Sequence, residues 1–553
     1  MMLRAAVTAC ALVLASAAAA SAAPARSIAL QALAARYYDA TFEANPLSAD
    51  DAGVHRFGGR LPDYSAEAQS TYMTRLRGFR TELNALAPGG ESVHDQVDYL
   101  LLRSDLEGDW WQRTYLKDLQ HNPATYEGAC SNGIFNVLKR HYASNKVRAA
   151  HAIARLRACR AVLETGKKNL TDPVREFGKV ASEDISGSGA LFGPSLETLV
   201  PGLSVVDRAA LYAARDDARS ALAAYKAWID GHLSGWKSGG FAVGAEQYDF
   251  FLRRVLLLPY TGRELQAMAA FELARDRALE AWEANRSAFE PAGRAQPAFH
   301  TKVQFLAYYE DQTRRLRAFL AARKIVTVPA YIGHFKIVEL PKALAASYPG
   351  GFMNPPGAFD GDPAGFYFVP DFNPKNTSFF AAQARQSVLP VLGHEGLPGH
   401  FLQFSIANHN ADRLRRVHSD GVFSEGWAFY SEEMLMRAGL YDADPAARRA
   451  VIHLMRHRAT RVGVDVRLAT GAMTMPQAIA YFTAGAGIDR ATAEGEGTRF
   501  AMGPGQAIDY LTGKLQIEQL LGDYRKRYGN DASLLGFHDT LLSFGTVPFS
   551  TIA

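Results

Sequence analysis

From Ser27 to about Phe299, apolar side chains return at three- and four-residue spacing with arginine and glutamate between them, the period of packed amphipathic helices. Ile28–Glu43, Val147–Lys168, Ala209–Leu233 and Gly262–Phe289 carry it most clearly. Short breaks at Asn45-Pro46, Pro88-Gly89-Gly90, Pro201-Gly202 and Gly239-Gly240 separate the helices. The texture changes near Ile325. Ile325–Val328 and His334–Glu339 are short β-branched runs, each ended by proline. Gly350–Pro370 is rich in glycine, proline and aromatics, and Phe366–Val369 reads as another strand. Helices resume with a segment starting near Arg385, then at Ser424–Ala438, Pro445–Leu468, Met475–Ala484 and Pro504–Tyr528. The expectation is a mostly α chain with a small sheet or ribbon before the helix that starts near Arg385. No linker composition separates independent domains, so residues 23–553 read as one helical body, its long helices over about 27–300 followed by a portion of changed texture over about 301–553.

Arg4, the apolar run Ala5–Ala20 and the pattern Ala20-Ser21-Ala22 form a signal peptide over residues 1–22. The run is short and alanine-rich with no second span behind it, which points to an exported protein, periplasmic or secreted, without a stable membrane span. Net charge is only +4 from 60 basic and 56 acidic side chains, which speaks against a nucleic-acid partner or a polybasic membrane surface. After the leader two cysteines remain, Cys130 and Cys159; export permits a disulfide, and two buried thiols are the equal alternative.

The run His394-Glu395-Gly396-Leu397-Pro398-Gly399-His400 comes close to the zinc-peptidase pattern H-E-x-x-H, with two residues too many. On a regular helix a spacing of four leaves two imidazoles about 40° apart. A spacing of six leaves them about 120° apart and about 9 Å along the axis, too far for one ion. The segment carries its own means of deformation: Pro398 lacks an N–H and crowds the preceding turn, and Gly399 tolerates unusual dihedrals. A bulge or bend there would return His400 toward His394.

Hydrolytic zinc sites use three protein ligands and keep the fourth position open. His394 and His400 are two candidates, and Glu425, in Ser424-Glu425-Gly426-Trp427-Ala428, is the third. Glu395 is the candidate general base. Glu432 and Glu433, one or two turns further along, are weaker candidates for the third ligand and read rather as surface charge, and Asp420 reads as a helix cap or an acceptor for an imidazole N–H. Tyr331–Glu339 and Phe366–Phe372 are candidate strands that would either pair with an extended peptide or pack as ordinary sheet. No G-x-S-x-G elbow supports a serine nucleophile.

These residues carry a family resemblance. The motif, continued by Phe401-Leu402-Gln403, resembles the H-E-G-x-P-G-H-x-L-Q hallmark of the bacterial domain of unknown function 885. Asp51–Ala68 resembles that family's G-x-H-x-(Y/F)…L-P-D-x-S block, and Ser424–Glu433 its E-G-W-A-x-Y-x-E block. Glu496–Gly513 resembles its E-x-x-R-(Y/F)…P-G-Q-A…Y…G block, and Arg461–Asp465 fits R-x-x-V-D. The family is in turn distantly similar to the helical gluzincin peptidases, the group of angiotensin-converting enzyme and thimet oligopeptidase. Gly399-His400-Phe401-Leu402-Gln403 and Glu425 match their pattern, apart from the two-residue excess. That resemblance implies a two-lobed helical body with a deep substrate channel, one zinc ion, and a tyrosine hydroxyl aimed at the oxyanion. Tyr510 is the candidate for the last role. Arg499 either assists it or binds a substrate carboxylate, and the alternatives are a core tyrosine and a structural pair with Glu496.

The expected function is an exported zinc-dependent metallopeptidase acting on oligopeptides or small amides. A peptide-binding protein that has lost catalysis, or a zinc hydrolase of other amides or esters, is the alternative.

Overall fold

The computed structural model describes residues 28–86, 92–290, 299–341, 351–370, 379, 382 and 387–552. The leader, the Pro88–Gly90 break and Arg385 lie outside the described residues.

Helices dominate, and local chemistry sets many of their starts. Ser144 caps Asn145–Asn169, Ser204 caps Val205–His232, and Thr261 with Glu264 forms a capping box on Gly262–Ala288. Each places its hydroxyl on an otherwise unpaired backbone N–H. In the N-terminal half, Tyr126, Ile134, Leu156, Leu163, Leu211, Leu222 and Tyr225 are buried together, as the three- and four-residue spacing requires. Cys130, on Pro123–Lys139, and Cys159, on Asn145–Asn169, are disulfide-bonded with Cα atoms 5.5 Å apart. The Gly262–Ala288 helix packs along Pro445–Ala469. Trp111, Tyr248 and Leu265 share one apolar core with Phe423, Trp427 and Ile508.

Three strands form the described sheet, in the order β1 (Phe335–Glu339), β3 (Gly365–Val369), β2 (Phe352–Asn354). β1 pairs parallel with β3, Ile337 opposite Tyr367, and β2 pairs antiparallel with β3, Phe352 opposite Phe368. The sheet therefore precedes the His394 segment, as expected. Ile325–Val328 is not a strand, and Tyr331 lies in a turn. The backbone of the first segment bonds to side chains of the Leu534–Ser543 helix instead: His538 Nδ1 donates to Ile325 O at 2.8 Å, and Thr327 N donates to Asp539 Oδ1 at 2.8 Å. Phe366–Phe372 is shorter than expected, since β3 ends at Val369 and residues 371 and 372 lie outside the described residues. Among the described residues no helix is long and apolar enough to cross a membrane.

Candidate metal centre

The helix does not run through the motif. Leu389–Glu395 ends, residues 396–399 loop out with a cis Leu397–Pro398 peptide, and His400–Ala407 begins a new helix. The hydrogen bonds show how the excess is absorbed. Gly399 N donates to Gly393 O at 3.0 Å and Leu402 N to Gly396 O at 3.3 Å. Each spans six residues where an α-helix spans four, so two residues are extruded while the chain rejoins its own axis. Both glycines are sterically required. A Cβ on Gly399 would lie 1.9 Å from His394 O, and one on Gly396 would lie 2.7 Å from the Phe335 ring. Trp427 ties the loop down by donating its indole N–H to Pro398 O at 2.7 Å.

The imidazoles of His394 and His400 consequently stand edge to face, 4.8 Å between centroids. Glu425, on Gly421–Arg437, reaches both: its Oε2 lies 3.5 Å from His394 Nε2 and 3.2 Å from His400 Nε2. One ligand atom from each of the three residues falls within 4.8 Å of the others. Ligands about 2.1 Å from a tetrahedral ion lie about 3.4 Å apart, close to the two histidine–glutamate separations. Glu425 Oε2 is buried without a donor of hydrogen-bond geometry, so its lone pairs are available to an ion. The donor set, two imidazoles and a carboxylate, fits zinc.

Electrostatics draw positive charge to the same point. Burial lowers the His394 pKa, but Glu425 and Glu432 outweigh it and raise the value to about 9. Burial of Glu425 is likewise outweighed by His400 and His394, which hold its carboxyl well below the usual range. Glu395, half-buried beside the first histidine, is pushed up by burial.

Glu432 and Glu433 are not surface charge. They are 1 % and 4 % exposed. Glu432 Oε1 lies 2.8 Å from His394 Nδ1, too bent for a good hydrogen bond, and accepts from Arg458 Nη2 at 3.3 Å. A carboxylate there favours the proton on Nδ1 and leaves Nε2 to the centre. Glu433 joins a separate buried network with Lys514 at 2.9 Å and Arg275 at 2.6 Å, which ties together three helices. Asp420 is the cap: its Oδ1 accepts from Phe423 N at 2.5 Å at the start of the Glu425 helix.

Tyr510 is brought to the centre by a glycine crossing. A Cβ on Gly426 would meet Gly513 Cα at 2.4 Å, so Gly421–Arg437 and Gln506–Tyr528 touch backbone to backbone. The Tyr510 ring stacks 6.1 Å from His394, and Gln506 Nε2 donates to its hydroxyl oxygen at 3.0 Å. Burial and Glu425 push its pKa up to about 12. Asp465 anchors the start of this helix, accepting from Gly505 N and Ala507 N at 2.9 Å and from Tyr248 OH at 3.0 Å. Arg461 lies 5.1 Å from the Tyr510 ring and holds Glu496 with two nitrogens. Arg499 does pair with Glu496, through a single contact of 3.3 Å, and its side chain is 40 % exposed.

The sequence marks Glu432 only as a weaker candidate ligand or surface charge, and gives no role to Arg458 or Arg461. For Glu432 a signal existed: seven residues after Glu425 is about 20° short of two full turns, the same helix face. Arg458 and Arg461 sit on a helix whose packing across the site no local pattern encodes.

Over residues 46–553 the sequence matches the family described as "Bacterial protein of unknown function (DUF885)". No curated protein matches it. Among the solved structures that share its fold are two described as putative lipoproteins. One is described as "a putative lipoprotein of unknown function from Shewanella oneidensis", with a TM-score of 0.74 and 21% identity over 96% of this chain and 99% of that one. The other is "the putative lipoprotein from Colwellia psychrerythraea", with a TM-score of 0.79 and 20% identity over 95% of this chain and 98% of that one.

Proposed function

The chain belongs to the family described as bacterial protein of unknown function (DUF885), and from its own residues we propose that it is an extracytoplasmic zinc-dependent hydrolase, a metallopeptidase of oligopeptides or small amides. The observation that carries this reading is the convergence of His394 Nε2, His400 Nε2 and Glu425 Oε2 on one point. When bound there, zinc supplies Lewis acidity toward water and a carbonyl oxygen.

The protein's own groups do the rest. Glu395 takes a proton from the attacking water and hands it to the leaving nitrogen. Burial, which raises its pKa, makes it a better base than an exposed carboxylate. Tyr510 keeps its proton at neutral pH, and because Gln506 donates to its oxygen, that proton is available to a developing oxyanion. Glu432 and Arg458 orient His394. A two-lobed, gluzincin-like body with a substrate channel belongs to the same proposal. Export is supported by the leader-like residues 1–22, by the Cys130–Cys159 disulfide, and by the description of both fold relatives as lipoproteins.

Metal analysis with peptide turnover tests the reading. One zinc per chain, with Glu395→Gln keeping the metal and losing turnover by at least about 100-fold, supports it. Protein that binds peptides without metal or turnover would instead be a peptide-binding member of the fold. Turnover confined to esters or non-peptide amides would move the substrate class.

A further inference from the structure

We infer that two copies of the chain pair through the outer face of the Gly262–Ala288 helix, antiparallel about a two-fold axis. The inference is independent of the hydrolase proposal.

That helix is inverted relative to an ordinary amphipathic one. Its inner side buries Glu272, Asp276 and Glu283, with Arg275 at 2.9 Å from Glu272 and Arg448 at 2.9 Å from Glu283. Its outer side exposes Phe271, Trp282 and, at the helix end, Phe289, by 72 %, 67 % and 84 %. At about 100° and about 1.5 Å per residue, the three lie within about 20° of one another around the axis and span about 27 Å. Between Ala267 and Phe289 the rest of that strip is Ala267, Ala274, Ala278 and Asn285, without a charge. Arg277 and Arg286, both exposed, stand on opposite sides of it. Single exposed apolar residues are ordinary, but an aligned aromatic strip with an arginine rim has the anatomy of an interface.

A second copy is the occupant the strip fits. Phe271 and Phe289 are equidistant from position 280, and Trp282 lies two residues from it. With the helices antiparallel and a two-fold axis at that position, Phe271 meets Phe289 of the partner subunit at both ends. Near the axis Trp282 falls opposite the partner's Ala278, large against small, again twice. Area agrees. At about 150–250 Å² per aromatic side chain, the three leave about 450 Å² open on each copy, about 900 Å² for the pair. The alanine methyls and arginine stems beside them bring the total to about 1,200 Å², the lower bound of a specific interface.

The test is sedimentation velocity of the chain without residues 1–22, over about 1–100 μM, the range that brackets a dimer of modest affinity. Twice the mass of one chain is expected at the upper end. Trp282→Ala removes an aromatic anchor twice per dimer and should raise the dissociation constant at least about 30-fold. Val205→Ala, at an equally exposed position of another helix, should leave it unchanged. Trp282 is a surface residue, and an unchanged melting temperature where both proteins are monomeric excludes unfolding as the cause. Cys130 and Cys159 are already bonded to each other, so added cysteines report the pairing alone. Phe271→Cys mixed with Phe289→Cys should oxidise to a covalent dimer, and Phe271→Cys by itself should not. A monomer at every concentration overturns the inference, as does a dimer that Trp282→Ala leaves intact or one that cross-links Phe271→Cys to itself. Trp282-dependent binding of a monomer to vesicles of phosphatidylethanolamine and phosphatidylglycerol would make lipid the occupant and overturn it too.

Discussion

Trp427 donates its indole N–H to the carbonyl of Pro398 at 2.7 Å, so the helix that presents Glu425 also holds the loop that separates His394 from His400. All three proposed ligands are therefore positioned by one buried bond. Trp427→Phe keeps most of the packing and removes the donor. Leaving the Pro398 carbonyl buried and unpaired costs about 1–3 kcal/mol of stability. Loosening the supporting shell lowers zinc affinity about 10- to 100-fold. Chelator competition and urea unfolding measure the two effects; an unchanged affinity would show that the loop holds its shape unaided.

Gly399→Ala is the sharper substitution. Its Cβ would fall 1.9 Å from His394 O, against backbone that cannot rotate away. The two-residue extrusion must then rearrange, separating the imidazoles. About 3 kcal/mol of stability is lost, together with stoichiometric zinc binding. Ala at Gly522, whose Cβ position is open, is the control and shifts the melting temperature little.

These two glycine positions illustrate what the sequence discloses and what it withholds. Helical period is a local property, so Val205–His232 and Pro445–Ala469 were legible within a few residues at each end. The run Ile325–Val328 looked like a strand because β-branching is also local, but its partners, His538 and Asp539, lie more than two hundred residues later. The motif posed a condition, that His400 must turn back, without specifying how. The answer depends on six-residue hydrogen bonds and on Trp427 from another helix. Glu432 was readable from its seven-residue spacing to Glu425; Arg458 was not, because it arrives from across the core.

The disulfide between Cys130 and Cys159 closes a separation of 29 residues. On the chain-entropy account a loop of that length is worth about 3–4 kcal/mol. Replacing both cysteines with serine should lower the unfolding free energy by that order while leaving zinc content unchanged, since both lie in the N-terminal core. Urea titration of oxidised protein and of the double variant gives the difference.

His538 supplies a pH test away from the proposed metal ligands. Its Nδ1 donates to Ile325 O, so in the neutral ring Nε2 accepts from Tyr430 OH at 3.0 Å. Burial lowers its pKa to about 4, against an ordinary value of 6.5. Between those values the unfolded chain binds the extra proton, so stability from this group is present above about pH 6.5 and is lost as pH falls toward 4. Nearby Asp539, which pulls the pKa the other way, is the charge that limits the effect. Unfolding of native protein and His538→Gln at pH 7 and pH 5 should show a smaller acid loss in the variant. Equal losses would remove His538 as a contributor.

Glu432→Gln tests the division between ligand and support. The side chain keeps its size, but the carboxylate beside His394 Nδ1 and Arg458 Nη2 becomes a neutral amide. His394 then loses the charge that favours a proton on Nδ1 and a lone pair on Nε2, and Arg458 is left buried without its counter-ion. Loss of such a supporting carboxylate weakens metal affinity about 10- to 100-fold. Glu425→Gln removes a ligand outright and should abolish stoichiometric binding. The order of the two is the discriminating result: if Glu432→Gln cost as much zinc as Glu425→Gln, Glu432 would be a ligand itself, and the centre would have to be redrawn around His394 with two carboxylates from one helix face.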